Sequence, residues 1–244
     1  MSKIAVESLG GGFFAALSKD HRFGTDAFLL ADFAAAKHKD QAVDLGTGCG
    51  IIPLLLYKMY RPAHITGVEL QPEAAALFRA SAALSGLQGK VTPICADLRR
   101  LEGLLPAGKF DLVTCNPPYE APNTGKLNDS TARQLARHEL SCTIGDACAA
   151  AFRLLKTGGR FCLCQRPGRL ADVMDALRAH RLEPKRLRFV CQSPEREPWL
   201  FLIEGRKDRK PGLSVLPNLW MAGADGRYSA EILHIYGYDK DVTQ

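Results

Sequence analysis

No apolar run in this 244-residue chain approaches the roughly twenty residues that a bilayer-spanning helix needs; the longest, such as Ile51 to Leu56, fall far short. The start, Met1-Ser2-Lys3-Ile4, lacks the basic-then-apolar order of a secretory signal. Eight cysteines are present, but without the spacing of a disulfide framework. Cys162-Leu163-Cys164 sets two thiols on one face of a strand, yet no second pair completes a zinc site. No internal repeat or low-complexity tract occurs. The absences argue against a membrane span, a disulfide scaffold and a structural metal. The expectation is a reduced, cytoplasmic, monomeric protein with buried thiols.

What is present suits one α/β domain with appendages. Hydrophobic content of 46% is ordinary for a globular protein. A net charge of +6 permits a polyanionic partner without identifying one. Basic residues cluster at Lys185, Arg186 and Arg188, and again from Arg206 and Lys207 to Lys210. Such clusters read equally as a solvated surface or as a grip on phosphates.

From Gln41 to Gly205 the pattern alternates strand and helix. Strands are predicted at 41–45, 64–70, 90–96, 110–115, 160–165, 186–191 and 199–204. Helices are predicted at 51–60, 72–85, 146–155 and 168–180, with Pro53 and Pro72 tolerated in first turns and Gly86 and Gly158-Gly159 as stops. Pro93 cannot donate to a ladder, so the third strand belongs at a sheet edge. The alternation predicts a Rossmann-like, mostly parallel seven-stranded sheet, with ligands at the carboxyl ends of strands near a switch point. Ahead of it, Thr25-Asp26 precedes an apolar helix, Ala27 to Ala36. Residues 206–227 are expected to form a mobile basic loop; Tyr228 to Ile235 reads as either helix or strand.

Asp44-Leu45-Gly46-Thr47-Gly48-Cys49-Gly50 directly follows the first strand. Glycines there let a ligand approach the backbone at the amino end of the next helix. The spacing, with Ile51 next, does not meet the dinucleotide pattern Gly-x-Gly-x-x-Gly, which disfavours a nicotinamide enzyme. Glu69, followed by Leu70, closes the second strand and can accept two ribose hydroxyls. Asp97, followed by Leu98, closes the third and can accept an adenine amino group. Each alone reads more simply as a cap or loop carboxylate; together, behind the glycine turn, they favour a nucleoside site.

Asn116-Pro117-Pro118-Tyr119 follows the buried run Phe110 to Cys115. Two prolines stop helix and ladder, leaving a rigid elbow with one amide and one ring. The Asn116 oxygen and the Pro117 carbonyl, fixed by Pro118, can each accept one N–H of a planar amino group, while Tyr119 can stack on its ring. An isolated elbow of this kind could be a plain turn.

Arg22-Phe23-Gly24-Thr25-Asp26-Ala27-Phe28-Leu29-Leu30-Ala31, the Asp44–Gly50 turn, Gly67-Val68-Glu69, the Asn116–Tyr119 elbow and Ala136-Arg137-His138-Glu139 resemble the bacterial tRNA adenine-N6 methyltransferases acting on valine tRNA. The likeness covers about residues 10 to 205. It implies the class I methyltransferase fold, with strand order 3-2-1-4-5-7-6, over residues 41–205. Residues 1–40 would be a flap over the cofactor, and 206–244 a basic loop and C-terminal extension. It implies S-adenosylmethionine as cofactor, against Thr25, Asp26, Asp44, Gly46, Thr47, Gly48, Gly50, Glu69, Leu70, Asp97 and Leu98. The implied substrate is the adenine 3′ of a tRNA anticodon, in a loop whose base is cheap to extrude. Arg22, Arg137, His138, Lys185, Arg186, Arg188, Arg206 and Lys207 would hold that RNA. A protein-glutamine N5-methyltransferase would use the same elbow but generally carries a helical N-terminal domain. DNA adenine methylation lacks a recognition domain here. A non-catalytic RNA-binding protein of this fold would be expected to lose Asn116 or the glycine turn.

Overall fold

A computed structural model of the chain describes residues 4–117, 142–223 and 225–238. Pro118, Tyr119, Arg137 and His138 lie outside the described residues. The chain opens with a hairpin, β1 (Ala5–Gly10) and β2 (Phe13–Leu17), then α1 (Thr25–Ala34). The alternating core follows: β3 (Gln41–Leu45), α2 (Ile51–Tyr60), β4 (His64–Glu69), α3 (Pro72–Leu84), β5 (Val91–Cys95) and β6 (Phe110–Cys115). After it come α4 (Ile144–Leu154), β7 (Leu155–Gln165), α5 (Leu170–Ala179), β8 (Leu182–Cys191) and β9 (Pro198–Lys207). Two short strands, β10 (Ser214–Val215) and β11 (Leu219–Trp220), and α6 (Ala230–Tyr236) complete the order.

The main sheet runs β8-β9-β7-β6-β3-β4-β5, with β10 and β11 pairing in parallel with β8. Only β9 is antiparallel to its neighbours. The seven core strands therefore take the order 3-2-1-4-5-7-6. Pro93 sits in β5 at the free edge, where its missing donor costs no ladder bond. Strands β3 and β6 adjoin at the reversal of strand order, and Asp44 is level with Thr114. Large apolar side chains fill both faces of the sheet; Phe78 and Leu54 are fully buried in one layer, Phe161 and Phe201 in the other.

Several segments differ from the sequence reading. The first helix, expected over 27–36 behind a Thr25-Asp26 cap, runs Thr25–Ala34 with Gly24 in the cap position, so both residues lie in its first turn. The helix expected at 146–155 begins at Ile144 because Thr143 and Asp146 form a reciprocal capping box. It passes straight into β7, where Leu155 pairs with Phe110 and Arg160 with Leu112, so the Gly158-Gly159 pair bulges inside a strand rather than stopping the helix. The 206–227 stretch, read as a loop, contains β10 and β11, whose backbones pair along the exposed side of β8. The ambiguous tail is helical, with Ser229 as its cap.

Within residues 4–40, the hairpin lies against α3: Ser81 Oγ accepts from the Ala16 N–H (2.8 Å) and Ser85 Oγ from the Phe14 N–H (2.9 Å). Helix α1 crosses the other strands, and its C-terminal carbonyls are capped from the sheet. Arg160 donates to the carbonyls of Ala34 and Ala35, and Arg186 to that of Phe33. Both arginines neighbour Glu204, which is fully buried.

The glycine turn is shaped by packing as well as by ligand access. Gly46, Gly48 and Gly50 all adopt positive φ. A Cβ on Gly50 would stand 1.9 Å from the Phe78 ring, whereas Gly46 and Gly48 face open space. We expect Gly50→Ala to lower stability by about 2–4 kcal/mol in urea denaturation, from overpacking plus left-handed backbone strain. Gly86→Ala, which shares the positive φ but meets nothing within 4 Å, should cost only about 1–2 kcal/mol.

Candidate active site

The carboxyl ends of β3, β4, β5 and β6 surround a cavity of about 430 Å³. Gly46 and Gly48, Glu69 and Leu70, Asp97 and Leu98, and Asn116 and Pro117 line it from these four strand ends. Asp26 reaches it from the first turn of α1. Thr25, Asp44, Thr47 and Gly50 are not in its lining.

Glu69 is held before any ligand arrives. Its Oε2 accepts the Gly48 N–H at 2.8 Å and its Oε1 the Gln71 N–H at 2.9 Å. Each carboxylate oxygen can accept a further hydrogen bond, so the side chain suits a vicinal diol. Asp97 is differently engaged. Arg99 donates to both of its oxygens, with Nη2 at 2.6 Å from Oδ2, and this contact holds the Asp97 carboxyl below its usual range. A ligand amino group reaching Asp97 therefore competes with Arg99.

Asp44 lies beneath the glycine turn, fully buried, and accepts from the Thr114 hydroxyl at 2.7 Å. The buried Thr47 hydroxyl lies close by and, like Thr114, favours the ionised carboxyl. Burial pushes the Asp44 carboxyl up to about 7, against the opposing Thr114 bond.

Asn116 is clamped from two sides. Its Nδ2 donates to Asp26 Oδ2 at 2.9 Å, and its Oδ1 accepts from Cys164 Sγ at 3.1 Å. The amide plane is thereby set, and a second lone pair on Oδ1 can accept another donor. Sequence reasoning took Asp26 as a cofactor ligand and Cys164 as a core thiol. The signal for Cys164 was the strand order: β7 adjoins β6, Leu163 is level with Cys115, and the next residue on each strand is Cys164 and Asn116. Gln71, Arg99 and Cys142 also line the cavity and were not anticipated.

The basic residues nominated for RNA make mostly internal contacts. Arg186 and Arg206 pair with Glu204 at 2.7 and 2.6 Å. Arg188 is bidentate to Glu231 at 2.6 and 2.8 Å. Lys207 donates to the carbonyls of Phe152 and Leu155, and Lys185 to that of Lys210. Arg206 is level with Arg160 and Leu112, so it and Lys207 lie toward the end of the sheet away from the cavity. Arg22 is exposed, two residues before the α1 cap at Gly24. Among the described residues no cluster of His, Cys, Asp or Glu is built to hold a metal, and no helix is long and apolar enough to cross a membrane.

Residues 11–167 match the family described as Methyltransferase small domain. The chain is 32% identical over 225 residues to the tRNA1(Val) (adenine(37)-N6)-methyltransferase of Porphyromonas gingivalis, covering 88% of this chain and 86% of that relative. A crystal structure of a predicted O-methyltransferase from Agrobacterium tumefaciens superposes with a TM-score of 0.72 at 21% identity, over 87% of this chain and 96% of that one. Geranyl diphosphate C-methyltransferase from Streptomyces coelicolor, crystallised with Mg2+, geranyl diphosphate and S-adenosyl-L-homocysteine, superposes with a TM-score of 0.55 at 16% identity, over 74% and 79%.

The Glu69 cradle yields a direct test. Glu69→Ala should weaken S-adenosylhomocysteine binding by about 2–4 kcal/mol in calorimetry, the loss of a bidentate charge-assisted contact. Affinity within about threefold of wild type would remove Glu69 from the ligand site.

Proposed function

The chain belongs to the methyltransferase small-domain family, and from that premise we propose that it methylates N6 of the adenine immediately 3′ of the anticodon in a tRNA. The observation that carries the reading is the clamped Asn116 amide at the cavity wall, in a chain alike over most of its length to an enzyme named for that reaction.

The cofactor is S-adenosylmethionine, which supplies an electrophilic sulfonium methyl. The residues present fit it. Glu69 can take the ribose hydroxyls through the lone pairs left by Gly48 and Gln71. Gly46 and Gly48 leave open the space that a Cβ would fill, so the ligand can lie on the turn backbone. Asp44 and Thr47 sit buried below that turn, where Asp44 Oδ2 can meet a further donor through a bound water. Asp97 can take the adenine amino group once Arg99 yields one of its contacts.

The target nitrogen is a poor nucleophile because its lone pair is conjugated with the purine ring. Asn116 Oδ1 would accept one of its N–H bonds and the Pro117 carbonyl the other, which would fix the direction of the nitrogen lone pair. With the cofactor bound, the sulfonium would give up its methyl to that nitrogen, the new N–C bond replacing the S–C bond, and one N–H proton would pass to solvent afterwards. No strong base is required before transfer. Asp26 and Cys164 act through Asn116: they fix the amide plane and its two ends, leaving a second lone pair on Oδ1 for the substrate. The same reading gives Pro118 and Tyr119, outside the described residues, a part in holding the base, and Arg22, Arg137 and His138 a part in holding the RNA. The protein works as a cytoplasmic monomer.

The test has two parts. Bulk tRNA from a deletion strain should lack N6-methyladenosine in one tRNA by nucleoside mass spectrometry, and the purified protein should restore it. In single-turnover assays with saturating cofactor and RNA, Asn116→Ala should slow transfer about 100-fold or more with cofactor affinity nearly intact. Transfer to a glutamine-containing protein but to no RNA would replace the RNA reading; a near-normal rate for Asn116→Ala would reduce the elbow to a rigid turn.

A further inference from the structure

A second cavity, of about 680 Å³, lies on the other side of the first turn of α1. Gly24 and Thr25 line it, and the next residue, Asp26, lines the first cavity. Its size falls within the roughly 300–1,000 Å³ usual for ligand pockets. Its walls come from the β1–β2 turn, the start of α1 and the segment flanking α6.

The aromatic content of these walls is high. Phe23 packs on Phe28 with centroids 6.1 Å apart, and Phe28 meets Tyr236 edge-on at 5.1 Å. Tyr236 in turn touches Tyr228 at 5.6 Å and Tyr238 at 5.8 Å. The inner ring is fixed, since the Tyr236 hydroxyl reaches Thr25 Oγ1 at 3.1 Å. The outer two are not covered: Tyr228 is 51% exposed and Tyr238 54%. Each outer ring meets Tyr236 edge-on and, among the described residues, leaves about half of its surface open. Lys58 lines the same cavity, where its Nζ donates to the Leu9 carbonyl, and exposed Arg22 precedes the lining residue Phe23 in the chain; Glu7 is the single acidic lining residue.

We propose that this aromatic cleft holds a nucleobase of the single-stranded RNA flanking the methylated adenine, stacked on Tyr228 or Tyr238 with its phosphates toward Lys58 and Arg22. The inference rests on the proposed function and names how that site grips its substrate. An extruded base in the first cavity carries its neighbours along the surface, and the second cavity begins one residue away across α1. Every base has a π-face, so aromatic platforms suit unpaired strands whatever their sequence.

The experiment uses the full chain saturated with S-adenosylhomocysteine and an anticodon stem-loop carrying 2-aminopurine on either side of the target adenine. Wild type should change the fluorescence of one flanking probe. The double variant Tyr228→Ala/Tyr238→Ala should lose that change and bind the RNA at least about tenfold more weakly, the effect of losing one base–aromatic stack. Tyr228→Phe/Tyr238→Phe should behave as wild type, and S-adenosylhomocysteine affinity should be the same in all three. Wild-type RNA affinity and fluorescence in the alanine pair would overturn the cleft while leaving RNA methylation standing. Equal weakening by the alanine and phenylalanine pairs would also overturn it, since ring stacking would not be the contact. A wild-type protein that methylates a protein and no RNA would overturn the cleft together with the proposed function.

Discussion

The hydrogen bond from Asn116 Nδ2 to Asp26 Oδ2, 2.9 Å long, joins two parts of the chain ninety residues apart and fixes the group on which the chemistry turns. An amide side chain has two faces of opposite character, an acceptor and a donor. An unclamped one would present either to a substrate amino group. Asp26 can only accept, so it claims the NH2, and Cys164 supplies a donor to the oxygen. Asp26 is itself held at the start of a helix whose far end is tied to the sheet through Arg160 and Arg186. Those arginines are neutralised by buried Glu204 and, for Arg160, by Asp40 at 3.0 Å. The ion-pair network lies away from the cavity, yet it anchors the helix that sets the orientation of Asn116.

The same switch point is locked from below. Asp44 on β3 and Thr114 on β6 are level in the sheet, and their side chains bond at 2.7 Å with no exposure. This brings the glycine turn of one strand beside the elbow of the other. Phe78 from α3 then fills the space under Gly50 and Gly67, where a Cβ would stand 1.9 and 2.5 Å from its ring. Two glycines of this region thus serve packing, while Gly46 and Gly48 serve the cavity.

Much of this was legible because it is local. The bounds of β3, α2 and β6 coincide with the apolar runs Gln41–Leu45, Ile51–Tyr60 and Phe110–Cys115, and Pro93 alone set β5 at the edge. Strand order then brought Glu69, Asp97 and Asn116 to one cavity. What the sequence hid is pairing at a distance. Arg186 and Arg206 read as a phosphate grip because nothing near them in the chain announces Glu204 as their partner. The bond from Asn116 to Asp26 has no sign in the sequence, because it depends on the crossing of α1 over the sheet. The aromatic cleft was hidden for the same reason: Phe23 and Phe28 meet Tyr228, Tyr236 and Tyr238 only in the folded chain. The start of α4 was the exception, since Thr143-x-x-Asp146 carries its own signal.

The claim that Asp26 works by orienting Asn116 is tested most directly by a double-mutant cycle on the single-turnover transfer rate, with Asp26→Ala, Asn116→Ala and both together. The account predicts non-additivity: once Asn116 is gone, removing Asp26 should cost little more, within about threefold, because its role runs through the missing amide. If the two losses multiply, so that the double variant is slower by the product of the single effects, Asp26 acts independently of Asn116, and the clamp is not the constraint on which the site depends.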